Sequence, residues 1–240
     1  EMVTLTVKQS DSSESKVKRT KALAMLSGGL DSMLAIRMIL RRGIDVEAVN
    51  FVTPFCLCNR CYLSEFIKEL SVKLHRINLG QEFLDLVVNP PHGYGSQMNP
   101  CIDCRILMFR KAKEVAKRIG AEYIVTGEVL NERPFSQGRE ALLMIEKEAG
   151  LEGKILRPLS AKLLPQSEPE KEGSVDRNSL LAIRGRRRLP QIELARKMGV
   201  KDYPCPAGGC LLTDPSFARR LGEHLSHEGR LRPEDVTLLR

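Results

Sequence analysis

Two rhythms of apolar and polar positions alternate along the first half of the chain. KALAML (21–26) is a short apolar run that ends at glycines and predicts a buried strand. In DSMLAIRMILRR (31–42), Met33, Leu34, Ile36, Met38, Ile39 and Leu40 recur at helix spacings. DVEAVNFV (45–52) alternates as a strand does, YLSEFIKELSVKL (62–74) reads as a helix and HRINL (75–79) as another strand. NPPHGYGSQMNP (89–100) is too rich in Pro, Gly and Asn to be regular. Beyond it Ile102, Ile106, Phe109, Ala112, Ala116 and Ile119 recur every three or four positions, which predicts an amphipathic helix over 103–119 stopped by Gly120. EYIVTGEV (122–129) supplies a further strand.

Strands and helices in this alternation predict an α/β fold, a doubly wound and mostly parallel sheet with helices on both faces. SAKLLPQSEPEKEGSVD (160–176) interrupts the rhythm with Pro, Ser and charge. The expected organisation is a flexible lead-in over 1–20, a main domain over 21–160 and a small C-terminal extension over 161–240 that completes the active site. RPEDVTLLR at the end is a helix-like start, which leaves room for a longer parent protein.

Composition narrows the class. A chain of 240 residues, 42% hydrophobic, is long enough to bury one sizeable core. No apolar run approaches a membrane span and no secretory signal opens the chain, so a cytoplasmic protein is expected. Seven cysteines, five of them in two tight groups, suit metal or sulfur chemistry in a reducing compartment better than a disulfide framework. The net charge of +8 permits a polyanion partner such as RNA without demanding one.

The strongest chemical signal is SGGLDS, Ser27 to Ser32. In a doubly wound fold the loop leaving the first strand lies at the carboxyl edge of the sheet, ahead of a helix N-terminus. Gly28 and Gly29 let backbone N–H groups close around phosphate oxygens, and Ser27 and Ser32 offer hydroxyls. No Lys follows the glycines, which excludes a Walker A loop. Asp31 would repel bare phosphate, so it is read as orienting the loop or recruiting Mg2+. An ordinary glycine turn with a Ser/Asp cap is the plain alternative.

NPCIDCR places Cys101 and Cys104 on either side of the expected helix start, where the macrodipole favours thiolate. The spacing alone admits half of a zinc site, a redox disulfide, an iron–sulfur cluster or a persulfide carrier.

SGGLDS after a first strand resembles the PP-loop of the N-type ATP pyrophosphatases. NPCIDCR after a Gly-rich loop, then a helix and IVTGE, is similar to the tRNA-thiolating branch of that superfamily, the 2-thiouridine synthase-like proteins. The resemblance runs from about Lys21 to Thr213. It implies an adenine nucleotide alpha hydrolase-like fold, with Ser27, Gly28, Gly29, Asp31, Ser32 and Gly127 binding ATP and Mg2+. It further implies an enzyme that adenylates a carbonyl oxygen of a tRNA base, expected to be uridine, releases pyrophosphate and replaces that oxygen with sulfur. Three departures stand out. Glu128 occupies the place of a His in those relatives, CLCNRC (56–61) is added, and the region after 160 does not match their second domain. GEVL, RPLSAKLLP and PAGGCLLTD look closer to an uncharacterised thiouridylase-like subgroup.

The sulfur donor implied is either sulfide or a persulfide derived from a cysteine desulfurase. Three thiolates on a 4Fe-4S cluster leave one iron open for sulfide, and this route is preferred here over a cluster-free persulfide or a zinc clamp. Cys205 stands between Pro204 and Pro206, whereas Cys210 follows Gly208 and Gly209, which allow backbone to approach a bulky cluster. Together with the resemblance, this assigns Cys101, Cys104 and Cys210 as metal ligands and, with Asp31, as catalytic residues. Cys205 is left as a nearby spare. Cys56, Cys58 and Cys61 relay sulfur, bind a second metal or have no catalytic role. Arg184, Arg186, Arg187 and Arg188, with Arg219 and Arg220, offer contacts to tRNA phosphates, a solvated basic turn being the alternative. Sulfur or nitrogen transfer to a small molecule and a metal-stabilised RNA-binding module remain the competing readings. The oligomeric state is open, a homodimer being one admissible form.

Overall fold

A computed structural model describes residues 20–56, 60–201, 203 and 209–240. Cys58, Cys205 and the side chain of Cys61 lie outside the described residues. The elements are β1 (Lys21–Met25), α1 (Leu30–Leu40), β2 (Asp45–Val52), α2 (Arg60–Leu70), β3 (Leu74–Asn78), α3 (Gln81–Val88), α4 (Cys101–Ile119), β4 (Tyr123–Thr126), α5 (Arg139–Ala149), β5 (Ile155–Leu156), α6 (Glu168–Lys171), α7 (Leu189–Met198), α8 (Pro215–Glu228) and α9 (Pro233–Leu239).

All pairings in the sheet are parallel, and the strand order is β3-β2-β1-β4-β5. The sheet therefore grows from β1 toward β2 and β3 and then reverses toward β4, which makes β1 and β4 the switch point. In open sheets of this kind the crevice beyond the carboxyl ends of the strands at the switch point is where ligands bind.

Both faces are covered, as a parallel sheet requires. Ala22 and Ala24 of β1, Val46 and Ala48 of β2 and Tyr123 and Val125 of β4 pack against α1, α2 and α7. Leu23 and Met25 of β1, Val49 and Ile124 pack on the other face against α4 and α5. Because β1 is buried on both faces, its sequence reads as an unbroken apolar run. A third cluster lies at the carboxyl edge, where Phe55, Leu79 and Phe83 meet Phe217 and Leu221 of α8 and Val236 of α9. The Phe55 ring stands 5.9 Å from those of Phe83 and Phe217. This cluster carries the late segment over the strand ends. Among the described residues no helix is long and apolar enough to cross a membrane.

Periodicity located the early elements closely, β2 to the residue. The expected helix 103–119 begins two residues earlier: Cys101 opens α4 and Cys104 stands in its first turn, so the two cysteines do not flank the helix start. Pro100 supplies the stop before it and Gly120, at φ 71°, the left-handed cap after it. α3 and α5 were not anticipated.

Candidate active site

The SGGLDS loop turns directly from β1 into α1. Gly28 has φ 86°, a left-handed conformation that favours glycine, and Gly29 is the cap of α1 with no side chain covering it. No side chain caps the N–H groups of the first turn, and such groups are suited to an anion. The two serines hold the loop shut from within. Ser32 Oγ donates to Gly29 O at 2.7 Å, and Ser27 Oγ donates to Ser32 Oγ at 3.2 Å. Ser32 is buried, so its first task is loop geometry.

Asp31 is held asymmetrically. Arg188 Nη2 donates to its Oδ2 at 3.0 Å, while Oδ1 is buried without a hydrogen-bond partner. Desolvation pushes the Asp31 carboxyl above its usual range, against the opposing pull of Arg188, its own backbone N–H, Arg133 and the Gln191 side chain. A buried, unpartnered carboxylate oxygen beside a phosphate-type loop is a hard donor of the sort Mg2+ takes. Arg188 also approaches Glu132 at 3.8 Å. It belongs to the nucleotide side of the site, whereas Arg186 and Arg187 are exposed. Arg220 is turned inward, donating to Leu239 O at 2.8 Å.

Gly127, just beyond β4, lies against this loop. A β-carbon there would meet the backbone of Asp31 and Ser32 at 2.4 Å. The next residue, Glu128, is buried and pairs with Arg157 at 2.9 Å and with Arg105 at 3.3 Å. Arg157 also pairs with Glu146. Burial opposes the Arg157 charge, and Glu128 and Glu146 outweigh it, holding the guanidinium above its usual range. Arg105 follows Cys104 in α4, so a continuous chain links the loop, Gly127, Glu128 and the cysteine-bearing turn. Glu128 is thus a structural anion that compensates two arginines.

The preceding loop sets Cys101. Asn99, buried, donates from Nδ2 to Cys101 Sγ at 3.1 Å, while its Oδ1 accepts from Gln97 N–H at 3.0 Å. His92 pins the same loop to α4 through Asp103 Oδ1 at 2.6 Å and reaches Glu148 of α5 at 2.9 Å. The Asp103 hydrogen bond raises the His92 pKa.

Cys101, Cys210 and Cys56 are electrostatic neighbours of Cys104, and Cys101 and Cys56 are neighbours of Cys210. The expected lowering of thiol pKa by the helix dipole fails for Cys104, because desolvation exceeds it. Burial pushes Cys104 up to about 12, opposed by Arg105. Burial likewise pushes Cys210 up to about 11, against a hydrogen bond from Leu212 N–H. Soft sulfur donors in a desolvated recess fit an iron–sulfur group chemically. Among the described residues, however, no three His, Cys, Asp or Glu side chains stand at metal-holding geometry. A thiol titrating at about 12 is ionised in roughly one molecule in ten thousand at pH 8. Alkylation of Cys104 and Cys210 in metal-free protein, followed by peptide mass spectrometry, should therefore accelerate about tenfold per pH unit from about pH 7 to 10. A rate that levels off near pH 8 would contradict this.

Arg133 was missed in the sequence. Its charge opposes the upward shifts of Asp31, Glu132 and Cys210. RPFSQ gave only the local hint of an arginine beside a turn-forming proline. Lys162 turns to Asn178 O at 2.8 Å.

A parallel sheet whose switch point carries SGGLDS, with Gly127 closing on it, defines a PP-loop protein of the ATP pyrophosphatase type. The chain belongs to the family described as thiamine biosynthesis protein (ThiI), whose model matches residues 17–162. It is 32% identical over 146 residues to a "Probable tRNA sulfurtransferase" of Thermoanaerobacter sp. (strain X514), covering 58% of this chain and 36% of that one. It is 27% identical over 146 residues to the "tRNA-specific 2-thiouridylase MnmA" of Xanthobacter autotrophicus, covering 54% of this chain and 38% of that one. Among solved structures, a 4-thiouridine synthetase–RNA complex with bound ATP aligns at TM-score 0.49 and 25% identity, over 92% of this chain and 52% of that one. The chain thus spans little more than a third of the length of the curated relatives it matches.

Proposed function

We propose that the chain carries the catalytic core of an ATP-dependent tRNA sulfurtransferase, forming AMP and pyrophosphate. The carrying observation is the SGGLDS loop at the sheet's switch point, with Gly127 closed against it and Asp31 Oδ1 buried, inside the segment that the family model matches. The names of the matched relatives support tRNA as the acceptor, and the exposed Arg186 and Arg187 are available to its phosphates. The base is proposed to be uridine.

Gly28 and Gly29 and the uncapped turn of α1 hold the ATP phosphates. Asp31 would hold Mg2+, which when bound would screen the phosphate charge, and Arg188 is placed to exchange Asp31 for a phosphate oxygen as the nucleotide binds. The carbonyl oxygen of the base attacks the α-phosphorus and pyrophosphate leaves, giving the O-adenylate. Arg133 and Arg188 offset the developing charge. Sulfur then attacks the same carbon and AMP departs. Cys101, Cys104 and Cys210 would hold a 4Fe-4S cluster, which when bound supplies an open iron for sulfide. The protein's own part is to hold these sulfurs partly desolvated, with Asn99 donating to Cys101 Sγ.

Asp31→Ala and Ser32→Ala are expected to abolish AMP and pyrophosphate release, measured with ATP and unmodified tRNA, and to abolish thionucleoside formation. ADP and orthophosphate as products would refute the PP-loop chemistry. Pyrophosphate release that ignores tRNA would favour a small-molecule acceptor.

A further inference from the structure

Cys56 and Cys210 face each other across a short antiparallel contact between the segment after β2 and the segment before α8. Two backbone hydrogen bonds define its type. Leu211 N–H donates to Phe55 O at 2.9 Å, on the diagonal of the pair, and Cys56 N–H turns back to Thr53 O at 3.1 Å. The two cysteines thus form the kind of pair that exchanges no backbone bonds of its own. In such pairs the α-carbons stand about 4.5 Å apart and the side chains share one face. Disulfides accept α-carbon separations from about 4.4 to 6.8 Å. Both residues are half-buried, so a small oxidant can reach them.

The surroundings prepare Cys56 for attack. Thr53 N–H donates to its Sγ at 3.3 Å, and Thr53 Oγ1 lies 3.4 Å away. Phe55 N–H donates to that same oxygen at 3.2 Å, which leaves the Thr53 hydroxyl proton directed to the sulfur. Cys101 and Cys104 stand on α4, and among the described residues no backbone bridge joins α4 to Cys210.

We propose that Cys56 and Cys210 are a redox-active pair that closes a disulfide when a small-molecule disulfide is present, withdrawing Cys210 from Cys101 and Cys104. The Cys56 thiolate attacks one sulfur of oxidised glutathione, forming a mixed disulfide and releasing glutathione thiolate. Cys210 then attacks Cys56 Sγ, and its proton leaves with the second glutathione as thiol. The two cysteines are oxidised, and one glutathione disulfide is reduced to two thiols.

The test uses the whole chain, purified anaerobically and freed of metal, equilibrated with oxidised glutathione, alkylated and digested without reduction. Fragment sequencing separates Cys56 from Cys58 and Cys210 from Cys205. A Cys56–Cys210 link is expected in roughly tenfold excess over any other. It should vanish in Cys56→Ser and Cys210→Ser and reverse with dithiothreitol. A dominant link from Cys210 to Cys101, Cys104 or Cys205 overturns the proposal, as does glutathione that stays on Cys56 unresolved. The consequence for sulfur transfer rests on the proposed role of Cys210, but the link does not. Protein that links yet makes no thionucleoside when reduced refutes that role and keeps the pair; active protein that never links refutes the pair.

Discussion

Gly127→Ala is expected to lower stability by about 3 kcal/mol and to remove nucleotide binding. The new methyl group would lie 2.4 Å from Asp31 C and Ser32 N and 2.5 Å from Asp31 O, all backbone atoms. Backbone at the start of a buried helix cannot swing aside as the end of a long side chain can. The end of β4 must therefore retreat from α1, or the SGGLDS loop must move, and either change spoils the crevice at the switch point. Gly138→Ala is the matched control, because its backbone at φ −64° and ψ 155° suits any residue and a β-carbon there meets only Pro134 O at 3.6 Å. Urea unfolding of the two variants, with ATP titrated calorimetrically, gives the comparison. Equal stability and equal ATP affinity would show that the close approach carries no weight.

Glu128→Ala is expected to cost about 3–5 kcal/mol, because it leaves a buried arginine with half of its compensation. The Arg157 side chain is 3% exposed, and its charge is offset by Glu128 at 2.9 Å and by Glu146. Removing Glu128 also releases Arg105, which adjoins Cys104. For a chain of this size the loss corresponds to a fall in Tm of roughly 10 °C. Glu128→Gln keeps the shape and one acceptor and should recover part of it. A Glu128→Ala variant melting within about 1 °C of the parent would mean that water solvates Arg157 in the folded state.

The run of local periodicities determined the α/β class, the first three strands and the loop at the end of β1. Those features depend on neighbours a few residues apart, and alternation with periods of two and 3.6 records them directly. SGGLDS was legible for the same reason: a strand, a glycine turn and a helix start are contiguous. Cys101 and Cys104 were legible as a pair, but their ionisation was not. Helix position argued for thiolate, whereas burial pushes Cys104 the other way, and burial is set by the packing of Phe55, Phe83 and Phe217 over the strand ends. Arg188 looked like one of four exchangeable arginines until the fold carried it 157 positions back to Asp31. The Cys56 and Cys210 register likewise exists only because the late segment returns along the end of β2. Contacts of that separation leave no period in the chain. They are decided by which surfaces the sheet leaves to be covered.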